Sequence, residues 1–181
     1  AFELAAHYRD QIAAIDRVLE RQTVDLKQRD DIDVIGLHRE GADGVVQILE
    51  VRRGVMIGAS AHPLKGVELP DADVIEDILA ARYDVHPVPD VVLSPVPLKD
   101  ADLWSDLLTD LRRRKARISH PQRGDKRRLL EMANRNAAEH MASRVRSEAD
   151  ALETLEQLQG KMGLRQLPGR IECYDISNIH G

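Results

Sequence analysis

The chain opens on a helical pattern. Phe2, Ala5, Ala6, Ile12, Ile15 and Leu19 recur at helical spacing through residues 1–22, with charged side chains filling the other face, so one apolar stripe runs along a helix. Residues 23–31 are polar and read as a linker. The pattern then shortens to strands. Asp33 to His38 is the first, Val45 to Val51 the second and Val55 to Ala61 the third, joined by turns at Gly41–Gly44 and Arg52–Gly54; β-branched runs punctuated by glycine predict an antiparallel meander. Helical spacing returns after Pro70, where Val74, Ile75, Ile78 and Leu79 form a stripe and Asp71 is the expected N-cap. Val91 to Ser94 is a short apolar strand of the kind buried on both faces. A helix beginning around Asp100, with Leu103, Leu107, Leu108 and Leu111, runs into Arg112–Lys115. Its acidic start and basic end suit the helix dipole. Arg117 to Ser119 is a fifth strand.

Gly124–Asp125 then starts a long helix, striped by Leu130, Ala133, Ala137, Met141, Val145, Ala149, Leu152 and Leu155, with breaks expected at Gly160, Gly163, Pro168 and Gly169. The stripe reads as core packing, with a connecting rod between domains as the alternative for the part past Val145. A last strand is expected over Ile171 to Ser177. Three antiparallel strands followed by alternating helices and strands is the order of the ribonuclease H fold, an α/β layer architecture with a mixed sheet.

Composition narrows the class. Of 181 residues 43% are hydrophobic and 31% charged, as in a globular protein, and only 3% are aromatic, so the core rests on aliphatic side chains. No apolar run approaches the length that spans a bilayer, which leaves no membrane partner expected. No signal peptide is visible in the first ten residues, and the chain does not begin with Met; it is expected to be a piece of something longer, in a cytoplasmic setting. The single cysteine, Cys173, excludes an internal disulfide. Net charge is −5, but unevenly spread: residues 1–100 hold 11 Lys/Arg against 19 Asp/Glu, whereas residues 111–128 hold nine basic residues and Asp125 alone against them. Local charge governs contact with phosphate.

Candidate chemistry follows from these positions. Asp175 lies in the middle of the last strand, and a carboxylate there is costly unless it is paired or binds a cation. Two-metal phosphodiester cleavage uses such carboxylates; an edge-strand Asp facing water is the alternative. Asp33 begins the first strand, where an active ribonuclease H fold wants a carboxylate, but beside Asp31 it reads as a polar strand start. Arg123, Lys126, Arg127 and Arg128 surround Gly124 at a helix start, a place that favours anions. They are candidates for DNA backbone contact, with a solvated charge run as the equal alternative; Arg112–Lys115 reads as a helix C-terminal cap. None of the seven histidines has metal-ligand spacing with another or with Cys173, and Trp104 reads as a buried anchor.

Three stretches carry a family resemblance: Phe2-Glu3-Leu4-Ala5-Ala6-His7-Tyr8-Arg9-Asp10-Gln11-Ile12, Pro121-Gln122-Arg123-Gly124-Asp125-Lys126-Arg127, and Arg170-Ile171-Glu172-Cys173-Tyr174-Asp175-Ile176-Ser177-Asn178-Ile179-His180-Gly181. In that order they resemble the UvrC family, nuclease subunits of bacterial UvrABC excision repair. The resemblance implies residues 1–24 as the second helix of a UVR motif and 25–31 as a linker. It implies 32–145 as a central ribonuclease H-like domain that has lost activity, 146–169 as a helical connector and 170–181 as the first strand of the C-terminal endonuclease domain. It further implies UvrB as a partner through Phe2, Ala5, Ala6, Arg9 and Ile12, and damaged double-stranded DNA as the substrate of the longer protein. Asp175 is then that protein's first catalytic carboxylate and a ligand for Mg²⁺ or Mn²⁺, with no metal expected in this piece because one carboxylate cannot build a site. The competing expectations are a stand-alone metal-dependent nuclease of ribonuclease H type and a protein-interaction module without DNA contact.

Overall fold

The computed structural model describes residues 30–172. The expected N-terminal helix, and Cys173 to Ser177 of the expected last strand, lie outside the described residues. The chain divides into two compact units between Met141 and Ala142.

In the first unit, β1 (Ile32–Glu40), β2 (Asp43–Arg52) and β3 (Val55–Leu64) precede α1 (Asp71–Val85), β4 (Val91–Leu93), α2 (Ala101–Arg112), β5 (Arg117–Ser119) and the start of α3 (Asp125–Met162). One sheet has the order β3-β2-β1-β4-β5. Its first three strands pair antiparallel, while β1–β4 and β4–β5 pair parallel. The meander comes from its turns. Gly41 holds φ +66 between β1 and β2, and Arg53 and Gly54 hold φ +53 and +83 between β2 and β3, the doubly left-handed geometry that matches strand twist in a two-residue hairpin.

Alternation along the strands builds two cores. Ile35, Val46, Ile48, Val92 and Ile118 face Val74, Ile75 and Leu79 of α1 and Leu108 of α2. Val34, Leu49, Val51 and Leu93 face Leu129, Leu130 and Ala133 of α3. Helices therefore cover both faces of the sheet, the three-layer solution that buries a mixed sheet. α3 lies very close to β1: a Cβ added to Gly36 would stand 2.3 Å from the carbonyl carbon of Ala133. Just past the end of β4, where β1 has lost its parallel neighbour, Leu37 N–H donates to Asn134 Oδ1 at 3.0 Å. The helix thus closes part of an open sheet edge.

Several expectations are corrected. Asp71 is the first helical residue rather than the N-cap; Pro70 holds that position, with no side-chain capping bond. The Asp71 carboxylate instead accepts from Arg39 Nη1 at 3.0 Å. Trp104 is half-buried, packed on the margin of the first core. The stripe of the long helix is buried as far as Met141.

In the second unit, α3 continues to Met162 with Val145 49% and Leu152 48% exposed, so this part of the stripe is not core. Gly160 is helical, not a break. The helix ends at Gly163, at φ +64, with Leu164 N–H donating to Gln159 O at 3.0 Å. That six-residue backbone bond around a left-handed glycine is the Schellman stop. Among the described residues no helix is long and apolar enough to cross a membrane.

Candidate functional site

Asp33 is the second residue of β1, opposite Glu50 on β2 and Val92 on β4. Alternation aims it, with Ile35, at the face covered by α1. It is completely buried, not a polar strand start in water as its place beside Asp31 suggests. Its partners come from far along the chain. Arg82 Nε of α1 donates to Asp33 Oδ2 at 2.9 Å, and Tyr83 Oη donates to the same oxygen at 3.0 Å. Arg52 Nη1 lies 2.8 Å from Asp33 Oδ1. That contact is an ion pair without hydrogen-bond geometry, because the nitrogen donates instead to Ile32 O and Val51 O at 3.1 Å. Arg82 Nη2 also donates to Glu50 Oε1 at 2.8 Å. The cluster holds two carboxylates and two guanidiniums, so its formal charge cancels in a place where a lone charge is prohibitive.

The ionisation of Glu50, Arg82 and Tyr83 follows from this packing. The hydrogen bond from Arg82 holds the Glu50 carboxyl below its ordinary value, against the opposing effect of burial. Burial works to lower Arg82, but Glu50 and Asp33 outweigh it and hold the guanidinium above its ordinary value. Burial first, then the Asp33 charge, push the Tyr83 hydroxyl far up. Tyr83 is therefore a fixed donor and Arg82 a fixed cation.

This arrangement does not fit a divalent cation. Hard cations want carboxylate oxygens open to the ion, whereas both oxygens of Asp33 face protein cations, one of them also a phenol. Among the described residues no group of three His, Cys, Asp or Glu side chains is placed to hold a metal. Arg82 also lines a groove of about 180 Å³ with Ile48, His62, Ile78, Ala81, Val85 and His86. The cluster ties α1 to β1 and β2.

The basic segment lies at the start of α3. Gly124, at φ +77, turns the chain into the helix, and its carbonyl accepts from Arg127 N–H and Arg128 N–H at 3.0 and 3.2 Å. Three of the four candidate cations have carboxylate neighbours. Lys126 Nζ is 3.8 Å from Asp30 Oδ2, Arg127 Nε 2.8 Å from Glu131 Oε1 and Arg128 Nη1 3.3 Å from Asp125 Oδ1. Arg123 is exposed and has no ion pair among the described residues. One member of the preceding basic run is likewise engaged: Arg112 Nη1 reaches Asp90 at 2.7 Å, and Asp90 is held below its ordinary value by the Asp31 N–H and then by Arg112. Phe2, Ala5, Ala6, Arg9, Ile12 and Asp175 lie outside the described residues.

Sequence reasoning missed Arg52, Glu50, Arg82 and Tyr83. One signal for Arg82 was present. It continues the stripe of Ile75 and Leu79 at helical spacing, which puts a charge on the buried face of α1 and demands a buried partner.

Comparison with known proteins agrees with this architecture. Residues 31–144 match the family model described as the UvrC ribonuclease H-like domain. UvrABC system protein C of Anaeromyxobacter dehalogenans strain 2CP-1 is 39% identical over 180 residues, covering 99% of this chain and 26% of that protein. The protein of the same name from Desulforudis audaxviator is 41% identical over 183 residues, covering 99% of this chain and 30% of its own length. That from Mycobacteroides abscessus is 38% identical over 202 residues, with the same coverage of 99% and 30%. The chain thus spans between a quarter and a third of the length of the curated relatives it matches. A solved Bacteroides thetaiotaomicron protein with an actin-like ATPase fold has a TM-score of 0.33 at 14% identity, covering 65% of this chain and 42% of that one. The chain belongs to the UvrC family, and residues 31–144 are its ribonuclease H-like domain.

Proposed function

We propose that this chain is the central section of an excision-repair nuclease subunit, in which the ribonuclease H-like domain serves as a scaffold and not as a nuclease. The observation that carries this reading is the state of Asp33. The one carboxylate buried in the first strand is neutralised by Arg82 and Arg52, and an arginine cannot give up its proton to make way for a metal. In the longer protein, catalysis then falls to the domain that Ile171 to Ser177 would open, with Asp175 as a carboxylate for Mg²⁺ or Mn²⁺. Such a site needs further carboxylates to clamp the metal, which acts as a Lewis acid on a phosphodiester of damaged DNA.

Incubating the purified chain with lesion-bearing duplex and Mg²⁺ or Mn²⁺ should give no strand cleavage. Robust cleavage abolished by Asp33→Ala would overturn the scaffold reading.

The partner reading rests on the apolar stripe of residues 2–19, which resembles a UVR helix and needs a surface to bury it. With the first helix of the motif restored, it should pair with UvrB. Phe2→Ala should then weaken the complex by about 1–3 kcal/mol, as for loss of a buried aromatic anchor. An unchanged calorimetric affinity would place Phe2 outside the interface. A second reading, an interaction module without DNA contact, draws on the carboxylate neighbours of Lys126, Arg127 and Arg128.

A further inference from the structure

Helix α2 has two apolar faces and the domain uses one. Leu108 is fully buried and Trp104 packs against the core beneath the helix. On its outer surface Leu103, Leu107 and Leu111 repeat every fourth residue and stand 68%, 46% and 55% exposed. Residues four apart lie one above the other on a helix. The three leucines therefore form a continuous stripe about 12 Å long at 1.5 Å per residue. Each is immediately preceded by an aspartate, Asp102, Asp106 and Asp110. These make a parallel acidic edge, and none of the three carboxylates has an ion-pair partner among the described residues.

We infer that this face of α2 is a docking surface for an amphipathic helix of a partner protein, one carrying apolar side chains at three- or four-residue spacing and Lys or Arg along one edge. The leucines supply the area that drives association, and contiguous exposed apolar patches mark interaction surfaces. The aspartates select the occupant. A row of three carboxylates outside any ion pair disfavours a phosphate backbone and an anionic bilayer, and it attracts a cationic helix edge in one orientation, with Arg113 and Arg114 near Asp110 marking the end of the row. Two turns of helix make a small interface, so the complex is a weak one that forms and releases readily.

The surface can be tested on the complete chain with a fluorescent 18-residue helical peptide bearing leucine on one stripe and lysine along its edge. Anisotropy should show saturable binding that weakens as salt rises. Leu107→Asp should weaken it at least tenfold, and the triple variant Asp102→Asn, Asp106→Asn, Asp110→Asn should weaken it and flatten its salt dependence. A peptide with glutamate in place of lysine should not bind. Absence of binding, equal binding of both peptides, or indifference to Leu107→Asp would overturn the proposal. So would concentration-dependent self-association that Leu107→Asp removes, since the occupant would then be a second copy. A thermal melt accompanies each variant; if Leu107→Asp does not fold, Leu103→Ser takes its place, and unchanged affinity in that variant overturns the proposal equally.

Discussion

The position of Asp33 is tolerable only in company. A carboxylate without solvent, between Ile32 and Val34 on a strand buried on both faces, would be protonated or would unfold the strand; here Arg82, Tyr83 and Arg52 surround it. Such networks are asymmetric under mutation. Removing one member strands the rest, whereas replacing the charged pair by apolar groups of similar volume is often neutral. Arg82→Met should therefore cost about 3 kcal/mol of stability, and Asp33→Leu with Arg82→Met should recover most of it. Urea unfolding of both variants measures this, and a double variant as unstable as the single would show that the pair is not coupled. The pH dependence has a defined sign. Glu50 is held below its ordinary value by Arg82 in the folded chain, so its contribution is complete above the unfolded value and fades as pH falls through the depressed one. The stability gap between wild type and Arg82→Met should shrink in acid below about pH 4.5, the ordinary Glu value. A gap constant from pH 7 to pH 3 would sever Glu50 from Arg82. Of this network the sequence offered only Asp33, as a strand carboxylate that read more simply as a polar strand start. Its other members lie 17 to 50 residues from Asp33, and local pattern cannot report which strand face a helix will cover. Among its partners, only Arg82 left a hint, as a charge on an apolar stripe.

Elements were easier to read than sites, for a physical reason. A two-residue period with Gly turns and a 3.6-residue period with Pro and Gly ends are local signals; the meander and the three helices left them, and β4 left a short apolar run instead. What local pattern could not give was reach. β3 extends to Leu64 because β2 pairs with it as far as Gly44. The apolar stripe of α3 outlasts its core because periodicity marks a face without naming what covers it. Gly36 is a further case: nothing around it in the sequence separates a strand glycine that weakens pairing from one that lets another backbone come close. The position of α3 decides it. A methyl at residue 36 would meet the backbone of Ala133 and Asn134 at 2.3 to 2.7 Å, a clash with atoms that cannot swing away as a side chain can. Gly36→Ala should force α3 off β1, breaking the Asn134 bond to Leu37 and costing about 3 kcal/mol or more, at the upper end of overpacking. Its melting temperature should fall well below that of Gly58→Ala on β3, where the added carbon meets only the Glu50 side chain at 3.5 Å. Equal melting temperatures would mean that α3 slides without cost.

Across the chain, charge is the property that composition alone describes least well. The net −5 hides an acidic first hundred residues and a basic run over 111–128. Asp30 receives both Arg117 at 3.0 Å and Lys126 at 3.8 Å, and Asp90 receives Arg112. Part of the basic run therefore neutralises the acidic half within the first unit, and these cations are poorly disposed to release counterions from DNA. Two of the four candidates differ. Arg123 is exposed without an ion pair among the described residues, and the Arg128 side chain is 78% exposed despite its contact with Asp125. Exposed pairs of that kind contribute little and exchange readily for another anion. If the start of α3 touches a DNA backbone, Arg123→Ala with Arg128→Ala should lower the slope of log affinity against log salt by about two units. The loss should be the same on damaged and undamaged duplexes, since phosphate contacts carry no sequence information. Lys126→Ala should instead act mainly on stability, through Asp30, and leave the slope nearly unchanged. The opposite pattern, an intact slope in the Arg123 and Arg128 variant with a lowered melting temperature, would retire DNA contact at this loop and leave its charges holding the protein to itself.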